Sequence, residues 1–337
     1  MFETYLGTDA GVVRLTTSGV EPLGLDDQRI SAVYALRDAR GDTVLLAGSY
    51  GNGLFRSSDG GHTWNPVDGG MTAPAARTIT PDPTRTGALL CGTEPGRIFR
   101  SQDDGRTWEE LAGIRDLPGC EEWFLPYSPR AGAVRNIYSP PGERQRLLAS
   151  VEVGGLIESR DGGVTWAYVD VGPDHDIHHI GGHPSDPQIL YASLGYAALK
   201  SQPRGNGAPQ YGGIARSRDG GATWTKIETD YTRATIVPPT RPDLLLAGPA
   251  PHVGRMGRIV VSADGGDTWE PAGAGIDTPM EDMVELFLAA PDDTIWAICS
   301  GGRLLVGEPA DPGAWHWRSA LPANVAARVE SVSFLAG

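Results

Sequence analysis

One eight-residue pattern, S-x-D-x-G-x-T-W, occurs five times in this 337-residue chain. The five copies occupy residues 57–64, 101–108, 159–166, 217–224 and 262–269. Their tryptophans are separated by 44, 58, 58 and 45 residues, and a local motif that returns at such intervals is typical of arrays of supersecondary units. The repeat constrains the fold more strongly than composition does, because every unit must provide the same turn at the same place.

Two weaker copies extend the array to seven units. Val20 stands 44 residues before Trp64 in "VEPLG", which matches the "WEPAG" that follows the last full copy. Trp315 stands 46 residues after Trp269 in "DPGAW", which keeps the Asp, the Gly and the Trp of the pattern. The path from Trp315 through the C-terminus to Val20 is 42 residues, again one unit long. The spacing thus predicts seven units that close into a ring.

Within each unit the residues favour short β-strands. Unit five contains "QILYASLG", "GGIARS" and "TWTKIE", in which β-branched and aromatic residues stand between Gly, Pro and Asp turn residues. Four short antiparallel strands in about 40 to 50 residues are typical of a β-propeller blade. We therefore expect residues 1–337 to form one all-β domain, a seven-bladed β-propeller, in which "RVESVSFLAG" is the inner strand of blade one beside "TYLGT".

The repeated octapeptide resembles the Asp-box (BNR) repeat of a superfamily of β-propellers, and the resemblance covers nearly the whole chain. That superfamily includes sialidases, xyloglucan-cleaving hydrolases, sortilin-type receptors and a photosystem assembly factor, so the resemblance implies the fold and leaves enzyme and binding roles open. Sialidases of this group carry an early Arg-Ile-Pro motif and have fewer blades. Here "DQRISA" and "GRIFRS" contain Arg-Ile without the Pro, so the chain is not expected to be a sialidase.

The octapeptides themselves are expected to be the turns between the third and fourth strands of their blades. The Asp carboxylate can accept backbone N–H groups within such a turn, the glycines permit positive φ, and the Trp can pack between blades. Successive turns alternate faces, so all the octapeptides should lie on one rim. We expect a functional site on the opposite face.

Two insertions are expected on that opposite face. Residues 111–135 link blades three and four, and residues 197–213 separate the second and third strands of blade five. They carry or adjoin aromatic residues, which are Trp123, Phe124, Tyr127, Tyr196 and Tyr211. We expect Trp123, Tyr196 and Tyr211 to form the wall of a ligand site, although loops that merely cover an edge would look the same.

Basic residues recur at one position of the predicted inner strands. In four blades the residue six positions before the Pro of the first turn is Arg77, Arg135, His178 or Arg233. Arg29 and Arg328 open the equivalent strands of blades two and one, and blade seven has Glu281, Asp282 and Glu285. This pattern predicts a channel mouth that binds a carboxylate, sulfate or phosphate through guanidinium groups. The alternative is that each arginine is paired with a local carboxylate.

Carboxylates and histidines are expected on the same face. Asp9, Glu94 and Glu152 follow the second strands, with Tyr50 in the matching loop of blade two. Four of the seven histidines lie in residues 174–183. A fifth, His252, is expected in a loop of the neighbouring blade. The candidate catalytic residues are His178, Glu152, Glu94 and Asp176, with His178 as the group that moves a proton. The alternative is that the carboxylates have no catalytic role and simply neutralise the arginines.

No resident metal or other cofactor is expected. A weaker alternative is a divalent-metal site made by Asp176, His178 and His252, to which His175 could add; otherwise His252 is a ligand-binding candidate.

Charge and cysteine content limit the partners. The chain carries 28 Lys and Arg against 42 Asp and Glu, a formal net charge of −14, which disfavours nucleic acids and anionic membranes as partners. It shows no signal peptide and no long apolar run, and its three cysteines suit a reducing cytoplasm. We therefore expect a cytoplasmic propeller that binds an anionic small molecule or saccharide, with hydrolase or lyase chemistry as a possible activity. The alternative is a non-catalytic assembly propeller whose arginine patch holds a protein partner.

Overall fold

The computed structural model describes residues 2–73, 75–123, 132–172, 176–195, 212–310, 314–323 and 325–337. In these ranges the chain forms seven four-stranded antiparallel sheets, the blades of a β-propeller, as expected. Two short 3-10 helices, η1 (Ala112–Asp116) and η2 (Cys120–Glu122), lie in the link between blades three and four. None of the helices in the described ranges is long and apolar enough to cross a membrane.

The first four blades have the following strands, named from the central channel outward. Blade one contains β28 (Val329–Ala336), β1 (Phe2–Thr8), β2 (Gly11–Thr16) and β3 (Gly19–Pro22). Blade two contains β4 (Ile30–Arg37), β5 (Thr43–Ser49), β6 (Leu54–Ser57) and β7 (Asn65–Pro66). Blade three contains β8 (Ala75–Pro81), β9 (Leu89–Glu94), β10 (Ile98–Ser101) and β11 (Glu109–Glu110). Blade four contains β12 (Ala133–Tyr138), β13 (Leu147–Glu152), β14 (Gly155–Ser159) and β15 (Ala167–Val169).

The remaining three blades repeat the same order. Blade five contains β16 (Ile177–Gly182), β17 (Leu190–Leu194), β18 (Gly213–Ser217) and β19 (Thr225–Glu228). Blade six contains β20 (Tyr231–Ile236), β21 (Leu245–Ala250), β22 (Val260–Ser262) and β23 (Glu270–Pro271). Blade seven contains β24 (Val284–Ala289), β25 (Ile295–Cys299), β26 (Leu304–Ala310) and β27 (Ala314–Ser319).

The ring closes within blade one. Strand β28 is antiparallel to β1, with partners running from Phe2 opposite Ala336 to Gly7 opposite Ser331. The innermost strand of this blade therefore comes from the C-terminal end of the chain and the other three come from the N-terminal end. This arrangement confirms the expected closure and pairs an edge of β1 that would otherwise be free.

Each S-x-D-x-G-x-T-W turn joins a third strand to a fourth strand, as expected. In the first copy, the Ser57 hydroxyl donates to Asp59 Oδ1 at 2.7 Å and accepts from the Gly61 amide at 2.8 Å. Asp59 also accepts from the amide of Thr63 at 2.9 Å and from its hydroxyl at 2.6 Å. Gly61 has a φ of +101°, which an L-residue with a side chain rarely adopts. Ser, Asp and Thr make the same bonds in the other four copies. The carboxylate is thus used within the turn.

Small residues in the second strands allow neighbouring blades to approach closely. A Cβ added at Gly48 of β5 would lie 2.4 Å from the Cβ of Ala76 in β8. A Cβ added at Gly92 of β9 would lie 2.6 Å from Val134 Cγ1 in β12. These contacts fix the inner strand of one blade against the second strand of the preceding blade. They therefore also fix the side chains that the inner strands direct into the channel.

Candidate functional site at the channel mouth

Every inner strand is interrupted by a β-bulge at the same place. Each inner strand pairs with the second strand of its blade, and this pairing shifts register once. The shift always lies near the N-terminal end of the inner strand. The residues at the shifts are Glu330, Ser31, Arg77, Arg135, His178, Arg233 with Ala234, and Glu285, in blades one to seven. A bulge bends its strand and re-aims a side chain, so these positions supply the channel mouth with its polar groups.

The bulge residues and their neighbours line one cavity of about 420 Å³. Its basic residues are Arg29, Arg77, Arg135, His178, His179, Arg233 and Arg328. Its acidic residues are Glu285 and Glu330. The six basic residues that the sequence placed at this mouth are therefore brought together, and the channel mouth holds a ring of charged residues in which blades three to six are basic and blades seven and one carry the two glutamates.

Two of the six, Arg29 and Arg328, directly precede β4 and β28, the inner strands that they were expected to open. The bulges of blades two and one are occupied by Ser31 and Glu330 instead. The sequence could not align these two blades with the other four because they lack the Pro that anchored the alignment. Both arginines still line the cavity.

Blade seven contributes one acidic residue to the ring. Of its three candidates, only Glu285 lies at the bulge and lines the cavity. Glu281 is exposed, and Asp282 accepts a hydrogen bond from Arg303 Nε at 2.9 Å.

The arginines of the ring are paired with carboxylates to different degrees. Arg233 Nη1 lies 2.6 Å from Glu285 Oε1, and Arg29 Nη2 lies 3.0 Å from Glu330 Oε2. Three contacts are longer: Arg77 to Glu94 at 3.8 Å, Arg135 to Glu152 at 3.3 Å and Arg135 to Glu285 at 3.8 Å. Close pairing thus coexists with looser contacts that leave guanidinium donors available.

Burial and charge act against each other at Glu152. Burial alone would raise the pKa of this carboxyl, but Arg135 and the other cations nearby outweigh it and hold the pKa below its ordinary value. At Arg77 burial and charge act in the same direction, because burial and the neighbouring Arg135 both lower the pKa of this guanidinium. A second anion near these arginines would therefore be favoured electrostatically.

His178 lines the cavity and belongs to a buried polar cluster. Its Nε2 lies 3.4 Å from Asp176 Oδ1 and 3.0 Å from Tyr231 Oη. Tyr231 Oη in turn accepts a hydrogen bond from Arg233 Nε at 2.7 Å. Among the described residues, Nδ1 of His178 has no hydrogen-bond partner, and its side chain is 2% exposed. The ring nitrogens of His178 thus face buried groups more than the open channel.

His179 also lines the cavity, although strand alternation predicts that it faces away from His178. The register shift between Ile177 and His179 interrupts the alternation at His178, and both histidines line the cavity. Removal from bulk water lowers the pKa of His179 to about 4.

Tyr50 forms an aromatic platform at the mouth that sequence reasoning did not assign. Its side chain is 40% exposed, and the guanidinium carbons of Arg29 and Arg77 lie 5.0 and 4.8 Å from the ring centroid. Both are within cation–π distance. The sequence shows Tyr50 in the correct loop, but nothing in it indicates stacking with arginines from two different blades.

Two other predicted site residues, Trp123 and His252, do not line the cavity. Trp123 is 6% exposed in the core of blade four, where its Nε1 donates to Tyr168 Oη at 3.2 Å, so it supports the fold rather than the cavity wall. His252 is exposed in the loop of blade six and bridges to Arg255 rather than joining Asp176 and His178. Tyr196, Tyr211, Phe124, Tyr127 and His175 lie outside the described residues.

Comparisons with known proteins show the fold. No family model and no curated protein matches the chain. Among solved structures, it is similar to a GH74 enzyme from Niastella koreensis, with 16% identity and a TM-score of 0.67 over 98% of this chain. It is also similar to the GH74 xyloglucanase from Xanthomonas campestris, with 21% identity and a TM-score of 0.65 over 94% of this chain. The chain covers 58% and 52% of these two proteins, about half their length.

A third similar structure is YCF48 bound to D1 peptide, with 18% identity and a TM-score of 0.54 over 88% of this chain and 86% of that one. At such identities a likeness shows architecture and does not transfer a site. The chain is a seven-bladed β-propeller, and its structural neighbours include both GH74 glycoside hydrolases and a peptide-bound propeller.

Proposed function

We propose that the channel mouth binds an anionic small molecule or an acidic saccharide, through a carboxylate, sulfate or phosphate group. The observation that carries this proposal is the convergence of Arg77, Arg135 and Arg233 on one cavity, each delivered by a bulge of a different inner strand. Guanidinium forks match such anions in shape and charge. A cavity of about 420 Å³ is in the range of small-molecule sites.

The loose ion pairs support the proposal more than the tight ones do. Arg77 and Arg135 each have a carboxylate contact at 3.8 Å, beyond hydrogen-bonding distance, and the hydrogen bond from Arg135 to Glu152 is long, at 3.3 Å. An incoming anion can therefore take up their donors without first breaking a short bond. Tyr50 offers an exposed ring beside Arg77, on which a sugar or another planar group can stack.

Any chemistry at this site would fall to His178, with Asp176 and Glu152 beside it, and Glu94 on the neighbouring blade. All four side chains are buried and engaged with neighbouring polar groups. This arrangement favours ligand binding as the primary role, with hydrolase or lyase activity as an addition to it. The likeness to GH74 enzymes makes saccharides with acidic groups a class to test.

A second candidate function is a non-catalytic interaction propeller. The exposed Tyr50 between two arginines would suit an acidic segment of a protein partner, and a structural neighbour is a propeller with a bound peptide. The two functions differ in ligand size. A small anion should bind by itself under the first, whereas only an extended acidic peptide should bind measurably under the second.

The test is calorimetric titration of the purified chain with citrate, sulfate and an acidic oligopeptide. We expect saturable citrate binding, which Arg135→Ala weakens by about 1.5–3 kcal/mol without unfolding the protein. The matched control is Arg218→Ala, which removes an exposed arginine outside the channel-mouth cavity. Equal citrate affinity for the two variants would refute the proposal, and binding of the peptide alone would favour the interaction propeller.

A further inference from the structure

Three buried side chains from blades four and five lie together beside the cavity. Glu152 ends β13, Asp176 precedes β16, and His178 stands at the bulge of β16. One ligand atom from each of the three lies within 4.8 Å of the others. We infer that Glu152, Asp176 and His178 form a binding site for a divalent transition-metal ion, a role separate from the proposed anion site.

The distances around His178 Nε2 are those of ligands that share a metal ion. Nε2 lies 3.0 Å from Tyr231 Oη and 3.4 Å from Asp176 Oδ1. For two ligand atoms each about 2.1 Å from one ion, these separations correspond to ligand–metal–ligand angles of about 90° and about 110°. Tyr231 can therefore supply a fourth oxygen, with the metal ion replacing the proton that it shares with His178.

The backbone of Gly195 packs against two of the ligands. A Cβ at this position would lie 2.4 Å from Asp176 Oδ2 and 2.4 Å from His178 Nε2. Any other residue would push these groups apart or fill the space between them. The glycine thus follows β17 at a point where a side chain would enter the cluster.

Neighbouring arginines hold the ligands in place. Arg135 Nη1 contacts one oxygen of Glu152 at 3.3 Å and leaves the other for coordination. Arg233 donates to Tyr231 Oη at 2.7 Å, which holds this oxygen beside His178 Nε2, whereas burial raises the pKa of Tyr231 well above its ordinary value. Such outer contacts are typical of metal sites and fix the orientation of the ligands.

The donor set indicates the class of metal. One imidazole nitrogen with two carboxylate oxygens suits Zn²⁺ or Mn²⁺ better than Mg²⁺ or Ca²⁺, which prefer oxygen ligands alone. The sequence suggested His252 as the third ligand, but the structure brings Glu152 to that position, because the end of β13 packs against β16.

The experiment is titration of the full chain, first treated with a chelator, with ZnCl₂ and separately with MnCl₂. We expect one ion per chain for at least one of the two metals and an increase in melting temperature. Asp176→Asn should lower the affinity at least about 50-fold, as should Gly195→Ala, whereas Asp170→Asn, an exposed carboxylate of blade four, should not change it. If Asp176→Asn fails to fold, Glu152→Gln carries the same test.

Spectroscopy then identifies the ligands. X-ray absorption of the zinc form, or electron spin echo of the manganese form, should show a single imidazole nitrogen, which is lost in His178→Gln. Binding that survives both Asp176→Asn and Glu152→Gln, a spectrum without a histidine nitrogen, or no stoichiometric binding of either metal would overturn the inference. Citrate binding is measured separately in the chelated protein, so failure of the metal site leaves the anion proposal standing.

Discussion

Arg233 Nη1 lies 2.6 Å from Oε1 and 2.7 Å from Oε2 of Glu285, so the bulge residue of blade six is bound to the bulge residue of blade seven. Glu285 also reaches Arg135 at 3.8 Å. One carboxylate thus occupies a donor of Arg233 and lies close to Arg135, two of the three arginines that the proposed ligand would use. It acts as an internal competitor for that ligand.

Replacement of this competitor should strengthen anion binding. Glu285→Gln removes a negative charge from the cavity and frees Arg233, so we expect citrate affinity to rise roughly tenfold, or about 1.4 kcal/mol. Titration calorimetry of the variant beside the wild type measures this change. An unchanged or weaker affinity would mean that Arg233 does not contact the ligand.

The S-x-D-x-G-x-T-W turns should make the protein sensitive to acid. Hydrogen bonds from Thr165 lower the pKa of Asp161 to about 2, and those from Thr223 do the same for Asp219. Because these pKa values are depressed in the folded state, their stabilisation is present above about pH 4 and is lost as the pH falls toward 2. Urea unfolding between pH 7 and 2 should show this loss, and Asp161→Asn should flatten it. A slope identical in the variant and the wild type would contradict the assignment.

His179 should titrate far below an ordinary histidine. Burial lowers the pKa of His179 to about 4 in the folded protein, whereas in the unfolded chain it is about 6.5. Between these two pH values the folded protein keeps the imidazole neutral and the unfolded chain binds a proton there. Its contribution to stability is therefore complete above pH 6.5 and declines as the pH falls toward 4. An NMR titration of the imidazole should give a midpoint near 4, and His179→Gln should remove this part of the pH dependence. A midpoint near 6.5 would be the contrary result.

Loss of the closing strand should destabilise the whole ring. Deletion of residues 327–337 removes β28 and exposes the edge of β1 together with the face that packs on β4. We expect a lower melting temperature and a broader transition in scanning calorimetry. Deletion of Gly337 alone is the control, because β28 ends at Ala336. A melting curve that is the same after both deletions would show that closure does not contribute to stability.

The repeat made the scaffold predictable from the sequence. The octapeptide fixes the turn between the third and fourth strands, and the spacing of its tryptophans gives the number of blades. The common Pro spacing also placed Arg77, Arg135, His178 and Arg233 at one structural position, where the bulges lie. These features depend on local chemistry that recurs along the chain, which is why one sequence is enough to find them.

The remaining features depend on contacts between blades. A bulge leaves no mark in the hydrophobic pattern, so the register shifts at His178, Ser31 and Glu330 could not be predicted from the sequence. The placement of Glu152 beside Asp176 arises from packing between blades four and five. Residues that are distant in the chain and follow no common spacing cannot be paired from the sequence alone.

The bulges also have a consequence for engineering. A bulge residue stands outside the regular pairing of its strand, and the seven blades accept Arg, Ser, His and Glu there on the same backbone. The backbone geometry of the bulge therefore accepts several different polar side chains. A combinatorial library restricted to the bulge residues would sample channels of different charge and hydrogen-bonding pattern on a single scaffold.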